Sequence, residues 1–279
     1  MIDLHTHSTA SDGSDPPERI PELAAANGCR AVALTDHDRM DGLEAAAKRA
    51  AEVGVELVPG TEISCEVSTG TMHVLIYFVE PGGPLEEELI RLQEARDARN
   101  ARMFRRLRDE LGLPITPEEV EAEAGGMGIG RPHVAAVLVR NGVVGTIQEA
   151  FDRYLAKGQP GYVEKERLYP EQALRLAVDS NAVPVLAHPL SLGLEAAELD
   201  RTVGELAALG LAGAEAIYGR YTPEERQGVA DLATRHGLVV TGGSDHHGSY
   251  KPDLQVGIGR GDLDVPDAAL EQLAARRRG

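Results

Sequence analysis

Short apolar runs recur along the chain: MIDL at 1–4, AVAL at 31–34, VELVPG at 55–60, VPVLA at 183–187, AEAI at 214–217 and LVVTGG at 238–243. Each has the length of a buried strand. Between them lie segments such as PPERIPELAAANG and GLEAAAKRAAEVG, whose apolar residues recur at three and four positions and which end near a glycine, as amphipathic helices do. Strand alternating with helix predicts an α/β fold built on a mainly parallel sheet. The alternation stops between about residues 85 and 165. There a long charged stretch, LEEELIRLQEARDARNARMFRRLRDELG, and several shorter helical segments contain no strand pattern, which predicts a mainly helical insertion. Pro16, Pro117, Pro132 and Pro170 each precede good helix formers and are expected in first turns, where the missing N–H costs nothing.

Composition narrows the function classes. The 279 residues are 42% hydrophobic, enough for one large α/β domain or for a core domain carrying an insertion. A formal net charge of -17 disfavours coating a nucleic-acid duplex, although cations gathered at one site would still attract phosphate. No stretch of 18 apolar residues is present and the first residues lack the pattern of a secretion signal, so a cytoplasmic protein with no membrane partner is expected. Cys29 and Cys65 match no thiol metal motif and read as core fillers.

The chemistry lies at the residues immediately after each run. After MIDL come His5 and His7, two residues apart and therefore on one face of an extended chain. After AVAL come Thr35, Asp36, His37 and Asp38; after VELVPG, Thr61 and Glu62; after VPVLA, His188; after LVVTGG, Ser244, Asp245, His246 and His247. In a parallel α/β barrel the carboxyl ends of all strands open on one face, so residues scattered along the chain would converge there on a metal. Single members have plainer readings. A histidine can be structural, Asp12 in SDGSDPP can be a turn residue, Asp36 and Asp38 can orient His37 or simply be solvated, and His236 sits where a helix stops.

HTH, Asp12, TDHD, GTE, a further histidine, AHP and SDHH together resemble the motifs of the polymerase and histidinol phosphatase (PHP) superfamily, across residues 1–247. The resemblance implies a distorted (β/α)7 barrel, formed by 1–84 and 166–279, with the helical cap inserted at 85–165. It implies three divalent metal ions, Mn, Fe or Zn with Mn favoured. The first is assigned to His5, His7, Glu62 and Asp245, the second to Glu62, His73 and His188, the third to Asp12, His37 and His247. Glu62 would bridge, and Glu62, Asp245 and His188 form the expected catalytic set. His246 would point away. His73 precedes the run VLIYFV instead of following a strand, so residues 62–79 are expected to form a hairpin through Ser68-Thr69-Gly70.

Within the insertion, GGMGIGRPHVA places glycines 125, 126, 128 and 130 before a helix start, where free N–H groups can meet an anion; a flexible loop with a surface arginine remains the alternative. In the subgroup that this chain resembles, G-R-x-H and Y-L-x-x-G-x-P-x-Y-V stretches belong to the cap, which makes Arg131, His133 and Lys157 the substrate-side candidates, with Lys165 a further one. Tyr162, Tyr218 and Tyr221 are candidate stacking platforms. The layout resembles stand-alone phosphatases that remove the 3′-phosphate of nucleoside 3′,5′-bisphosphates such as pAp, some of which trim short RNA from its 5′ end. Two alternatives stay open, a histidinol-phosphate phosphatase and a non-catalytic metal-binding PHP module.

Overall fold

In the computed structural model, which describes residues 1–125 and 129–277, the apolar runs form seven strands. They are β1 (Ile2–Asp3), β2 (Ala31–Leu34), β3 (Glu56–Cys65), β4 (Met72–Tyr77), β5 (Val183–Leu186), β6 (Gly213–Tyr218) and β7 (Val239–Gly243). They pair in chain order. β1 to β3 run parallel, β4 is antiparallel to both of its neighbours, and β5 to β7 run parallel again. Backbone bonds from Leu4 to Gly242, Asp245 to His5 and His7 to His246, at 3.2, 2.9 and 2.9 Å, join the first strand's exit to the last and close the sheet into a distorted barrel.

The reversed strand is the second arm of the expected hairpin. In its register Glu62 faces Leu75 and Ser64 faces His73, so the four side chains share one face. The turn includes Gly70 at φ +64, where an added Cβ would lie 2.2 Å from the Leu192 carbonyl oxygen. Only glycine fits there.

Alternation along each strand sorts residues into layers. Ile2, Ala31, Val58, Leu75, Val183 and Val239 meet in one cluster drawn from six strands, the barrel interior. Ten α-helices among the described residues surround or cap it. Those of the barrel are α1 (Arg19–Ala26), α2 (Leu43–Val53), α7 (Pro170–Asp179), α8 (Ala196–Ala208), α9 (Pro223–Arg235) and α10 (Ala268–Ala274). Leu270 and Leu273 of α10 join the interior cluster. Val32 and Leu34 of β2 turn the other way, toward Ile20 and Ala24 of α1 and Ala46 of α2.

Between β4 and α7 come α3 (Pro84–Arg105), α4 (Pro117–Glu123), α5 (Arg131–Arg140) and α6 (Ile147–Ala150), with no strand among the described residues. Leu85, Leu89 and Leu92 at the start of α3 pack with the barrel's outer layer. From Met103 to Leu155 the apolar residues form a separate core that includes Val120, Val134 and Leu138. Pro117 and Pro170 open their helices and Pro132 is the second residue of α5. Pro16 corrects the expectation, because α1 starts at Arg19. Pro17 disfavours helical geometry at the residue before it, and the chain instead turns, with the Arg19 N–H on the Pro16 carbonyl at 2.8 Å. Cys29 and Cys65 are free and buried.

Candidate metal centre

The strand exits and the hairpin bring His5, His7, Asp12, His37, Glu62, His73, His188, Asp245 and His247 to one end of the barrel. Glu62 lies at the centre of the group. Its Oε2 is 3.1 Å from His37 Nδ1, 3.2 Å from His7 Nε2 and 3.4 Å from His5 Nε2. Its Oε1 is 2.9 Å from His73 Nδ1 and 3.3 Å from His188 Nε2. One carboxylate thus faces five imidazoles. Asp245 Oδ1 lies 3.5 Å from His7, 3.6 Å from His5 and 3.3 Å from His247. Asp12 Oδ1 is 3.3 Å from His247 Nε2, and Asp12 Oδ2 is 3.9 Å from His37 Nε2.

Three sets of donor atoms fall within 4.8 Å of one another: His5, His7 and Asp245; His37, Glu62 and His73; and His7, Asp12, His37 and His247. His7 and His37 each belong to two sets, because each presents one ring nitrogen to either side.

Neighbours hold these side chains in place. Asp36 accepts from Ser8 N and Ser8 Oγ at 2.8 and 2.6 Å and from Ser11 Oγ at 2.5 Å, which braces the loop carrying His7 and Asp12. Asp3, buried, takes the N–H groups of His5, Ser244 and Gly257. Gly243 lets β7 approach the first strand closely; a Cβ there would sit 2.4 Å from that of His5. Tyr218 and Lys251 both donate to Asp245 Oδ2, at 2.7 and 2.6 Å. His246 points away, bonded to the Leu254 carbonyl and to Asp15, each at 2.9 Å. His236 lies apart, near Asp200.

The donor set fits cations. Burial alone would protonate the carboxylates, yet His37, His73 and His5 hold Glu62 well below the usual carboxylate range, and His37 and His247 do the same for Asp12. Burial pushes His37 down to about 3 and lowers His7 and His73. Against burial, Glu215, Glu62 and Asp245 raise His5 and Glu62 raises His188, so these two rings would release a proton on taking a cation, while the other three are already free to take one. His5 Nε2 and His7 Nε2 face each other at 3.1 Å, and His7 Nδ1 and His37 Nδ1 are buried without a hydrogen-bond partner. Hydrogen bonding among these groups therefore leaves lone pairs unused. Imidazole with carboxylate suits Mn, Fe and Zn.

A cavity of about 410 Å³ opens on this cluster. Asp12, His37 and His73 line one part; Arg96, Arg99, Arg131, Lys157, Lys165 and Arg167 line another, Arg167 paired there with Glu66 at 2.9 Å. Six cations in one cleft contrast with the acidity of the whole chain. Arg131 donates to the Leu155 carbonyl at 3.1 Å and lies over Phe151 and Tyr162, 5.6 and 5.7 Å from the ring centroids. Lys157 is exposed at the rim. His133 is buried and its Nδ1 accepts the Gly130 N–H at 3.1 Å, so the ring itself takes one of the donors at the start of α5. Gly126 and Gly128 lie outside the described residues.

Lys165 and Arg96 both pair with the buried Asp38. Tyr162 has the Arg131 guanidinium against its ring, Tyr218 is committed to Asp245, and Tyr221 accepts the Leu190 N–H at 2.8 Å. Tyr218 and Tyr221 pack edge to face at 4.9 Å.

Sequence reasoning missed four residues here. Glu215, buried on β6, receives His5 Nδ1 at 2.9 Å and the His188 N–H at 2.8 Å. Its signal was an ionisable residue inside the apolar run AEAI. Lys251 lies beyond the last motif. Arg96 and Arg99 were hidden in the charged stretch of α3. Arg99 is 4% exposed, has no carboxylate partner among the described residues, and burial with the nearby Arg96 and Arg131 lowers it to about 10.

A closed barrel whose mouth gathers imidazoles and carboxylates beside a cationic cleft defines the class of metal-dependent phosphoesterases. The PHP domain model matches residues 3–111. The 5′-3′ exoribonuclease Rnm of Escherichia coli is 32% identical over 88% of this chain and 85% of its own length. A 3′,5′-nucleoside bisphosphate phosphatase of Chromobacterium violaceum is 31% identical over 92% of this chain and 90% of its own. A crystal structure from Bifidobacterium adolescentis, of a protein described as a metal-dependent phosphoesterase, superposes with a TM-score of 0.87 at 30% identity, covering 100% of this chain and 96% of that one. The chain belongs to the PHP domain family.

Proposed function

We propose that the protein hydrolyses phosphomonoesters with three divalent cations, Mn favoured: one on His5, His7, Glu62 and Asp245, a second on Glu62, His73 and His188, and a third on Asp12, His37 and His247. Bound there, the cations would lower the pKa of a water and neutralise charge on the attacking and leaving oxygens. Glu62, Asp245 and His188 form the catalytic set, with Glu62 holding five imidazoles in register. The Cys65 thiol lines the cleft, but burial pushes its pKa far up, so it is no nucleophile.

The preferred substrate is a nucleoside 3′,5′-bisphosphate such as pAp, cleaved at the 3′-phosphate. The observation that carries this reading is the single cleft shared by the imidazole–carboxylate cluster and six cations. One phosphate would lie at the cluster and the second against Arg131, whose planar fork suits phosphate oxygens, with His133 and Lys157 beside it. Residues 85–165 act as the cap that supplies this second anchor to the barrel of 1–84 and 166–279. The same anchor would hold the 5′-phosphate of a short RNA. Histidinol phosphate, with one phosphate, would leave the arginine group without an anion. Mn-loaded protein is expected to release phosphate from pAp and not from histidinol phosphate; the reverse outcome overturns the assignment, and no hydrolysis of any phosphomonoester overturns the enzyme reading.

A further inference from the structure

Glu215 is wholly buried on β6, where pairing with β7 slips: Glu215 pairs with Thr241, and Ile217 instead of Ala216 pairs with Gly242. Both of its oxygens are used. Oε1 accepts from His5 Nδ1 at 2.9 Å, and Oε2 accepts the backbone N–H of His188 at 2.8 Å. Among the described residues His5 is its only ion-pair partner.

We propose that Glu215 is a positioning residue that orients ligands of two metal sites at once, an inference that rests on the metal-centre reading above. By taking the Nδ1 proton of His5 it leaves the Nε2 lone pair directed at His7, Glu62 and Asp245, 3.1–3.6 Å away. By accepting the His188 N–H it holds that residue at φ 26, ψ 64, a backbone conformation that non-glycine residues rarely adopt. The His188 ring is steered as well. Its Nδ1 donates to Ser191 Oγ at 2.8 Å, that hydroxyl donates onward to the Thr71 carbonyl at 2.8 Å, and Nε2 is left facing Glu62.

A neutral amide cannot take over this double role. Glu215→Gln keeps the shape but offers one acceptor where the carboxylate offers two. Its NH2 then meets either the His5 Nδ1–H or the His188 N–H. Facing His5, it favours the other tautomer and turns an N–H toward Glu62 where the lone pair was; facing His188, it pushes the strained residue out of place.

The test titrates chelator-treated parent and Glu215→Gln proteins with Zn2+, reading stoichiometry by elemental analysis and affinity by calorimetry. The expected result is a loss of roughly 10- to 100-fold in affinity at one site or more, with the metal-free variant still unfolding cooperatively. The 15N NMR spectrum of the metal-free parent is expected to show a proton held on His5 Nδ1, a preference that ligation at Nε2 does not impose there and that can be read even where the substitution prevents folding. Unchanged affinities, or a His5 Nδ1 without its proton in a parent that does bind Zn2+, overturn the role of Glu215 alone. A parent that binds no Zn2+ overturns the metal-centre reading and this inference with it.

Discussion

Asp38 ties three parts of the chain together, and removing its charge has a calculable cost. It follows His37 at the exit of β2, in a left-handed conformation at φ 54. Its carboxylate receives Arg96 from α3 and Lys165 from the segment that returns to the barrel, and its carbonyl receives Gln93 Nε2 at 3.1 Å. The three charged side chains are only 2%, 9% and 14% exposed, so the small value of a solvated surface pair does not apply. Asp38→Asn leaves two buried cations facing a neutral group, which costs about 3–5 kcal/mol. The thermal transition should fall by roughly 5–9 °C for a chain of this size.

The lysine adds a pH signature. Burial, reinforced by Arg96, holds Lys165 at about 8 against a usual 10.5. With the folded value below the unfolded one, the unfolded chain binds more protons between those limits, so this group's contribution to stability rises as pH climbs from 8 to 10.5. Asp38→Asn removes the charge that favours the ammonium, and the rise should begin at lower pH. Urea denaturation followed by circular dichroism, in excess chelator so that bound cations add nothing, measures both effects. A double variant with Lys165→Met should recover part of the loss, because one unpaired charge is gone. A loss under about 1 kcal/mol at neutral pH, the size of an exposed pair, would show that water already screens this network in solution and would refute the reasoning.

Glu62→Gln should lower kcat/KM by about 10³ or more, near 4 kcal/mol, and reduce metal content by elemental analysis; retention of both would remove Glu62 from the centre. Arg131→Lys should raise KM for pAp roughly tenfold while leaving a substrate with a single phosphate little affected, because an ammonium cannot reproduce the fork; equal effects on both substrates would deny it the second anchor. Dialysis against chelator should abolish hydrolysis, and cation at about 100 times its Kd should restore activity and add about 2.7 kcal/mol of stability, visible as a shift in the unfolding midpoint. Gly243→Ala should unfold the protein at lower temperature and weaken metal binding, since its Cβ would overlap that of His5; a variant that binds metal like the parent would show that β7 can shift without cost.

Much of the clustering of imidazoles and carboxylates was legible because chemistry and strand ends coincide. His5, His7, His37, Glu62, His188, Asp245 and His247 stand directly after apolar runs, and the i, i+2 spacing of His5 and His7 puts both rings on one side. His73 was reachable through the turn residues at 68–70, which require a hairpin. The sharing of His7 and His37 between sets was not legible, because it depends on which ring nitrogen faces which neighbour. Glu215 was hidden for the opposite reason to the histidines: it sits within a run instead of after one, and a single strand does not reveal that two donors meet it there. Arg96 and Arg99 looked like the solvated face of a charged helix, and only the docking of α3 against the barrel mouth buries them. The early start assigned at Pro16 failed on local sterics, where a second proline outweighed the helix signal.

The closure of the barrel between the first strand's exit and residues 242–246 bears on the order of events during synthesis. Four of the imidazoles emerge from the ribosome early, on a sheet with an open edge, and they cannot meet Asp245 or His247 until nearly the whole polypeptide has been made. Contacts of such long sequence separation form slowly, so a chain stalled before its last strand would lack the complete donor set, and the proposed cation capture would be a late checkpoint on the completed fold.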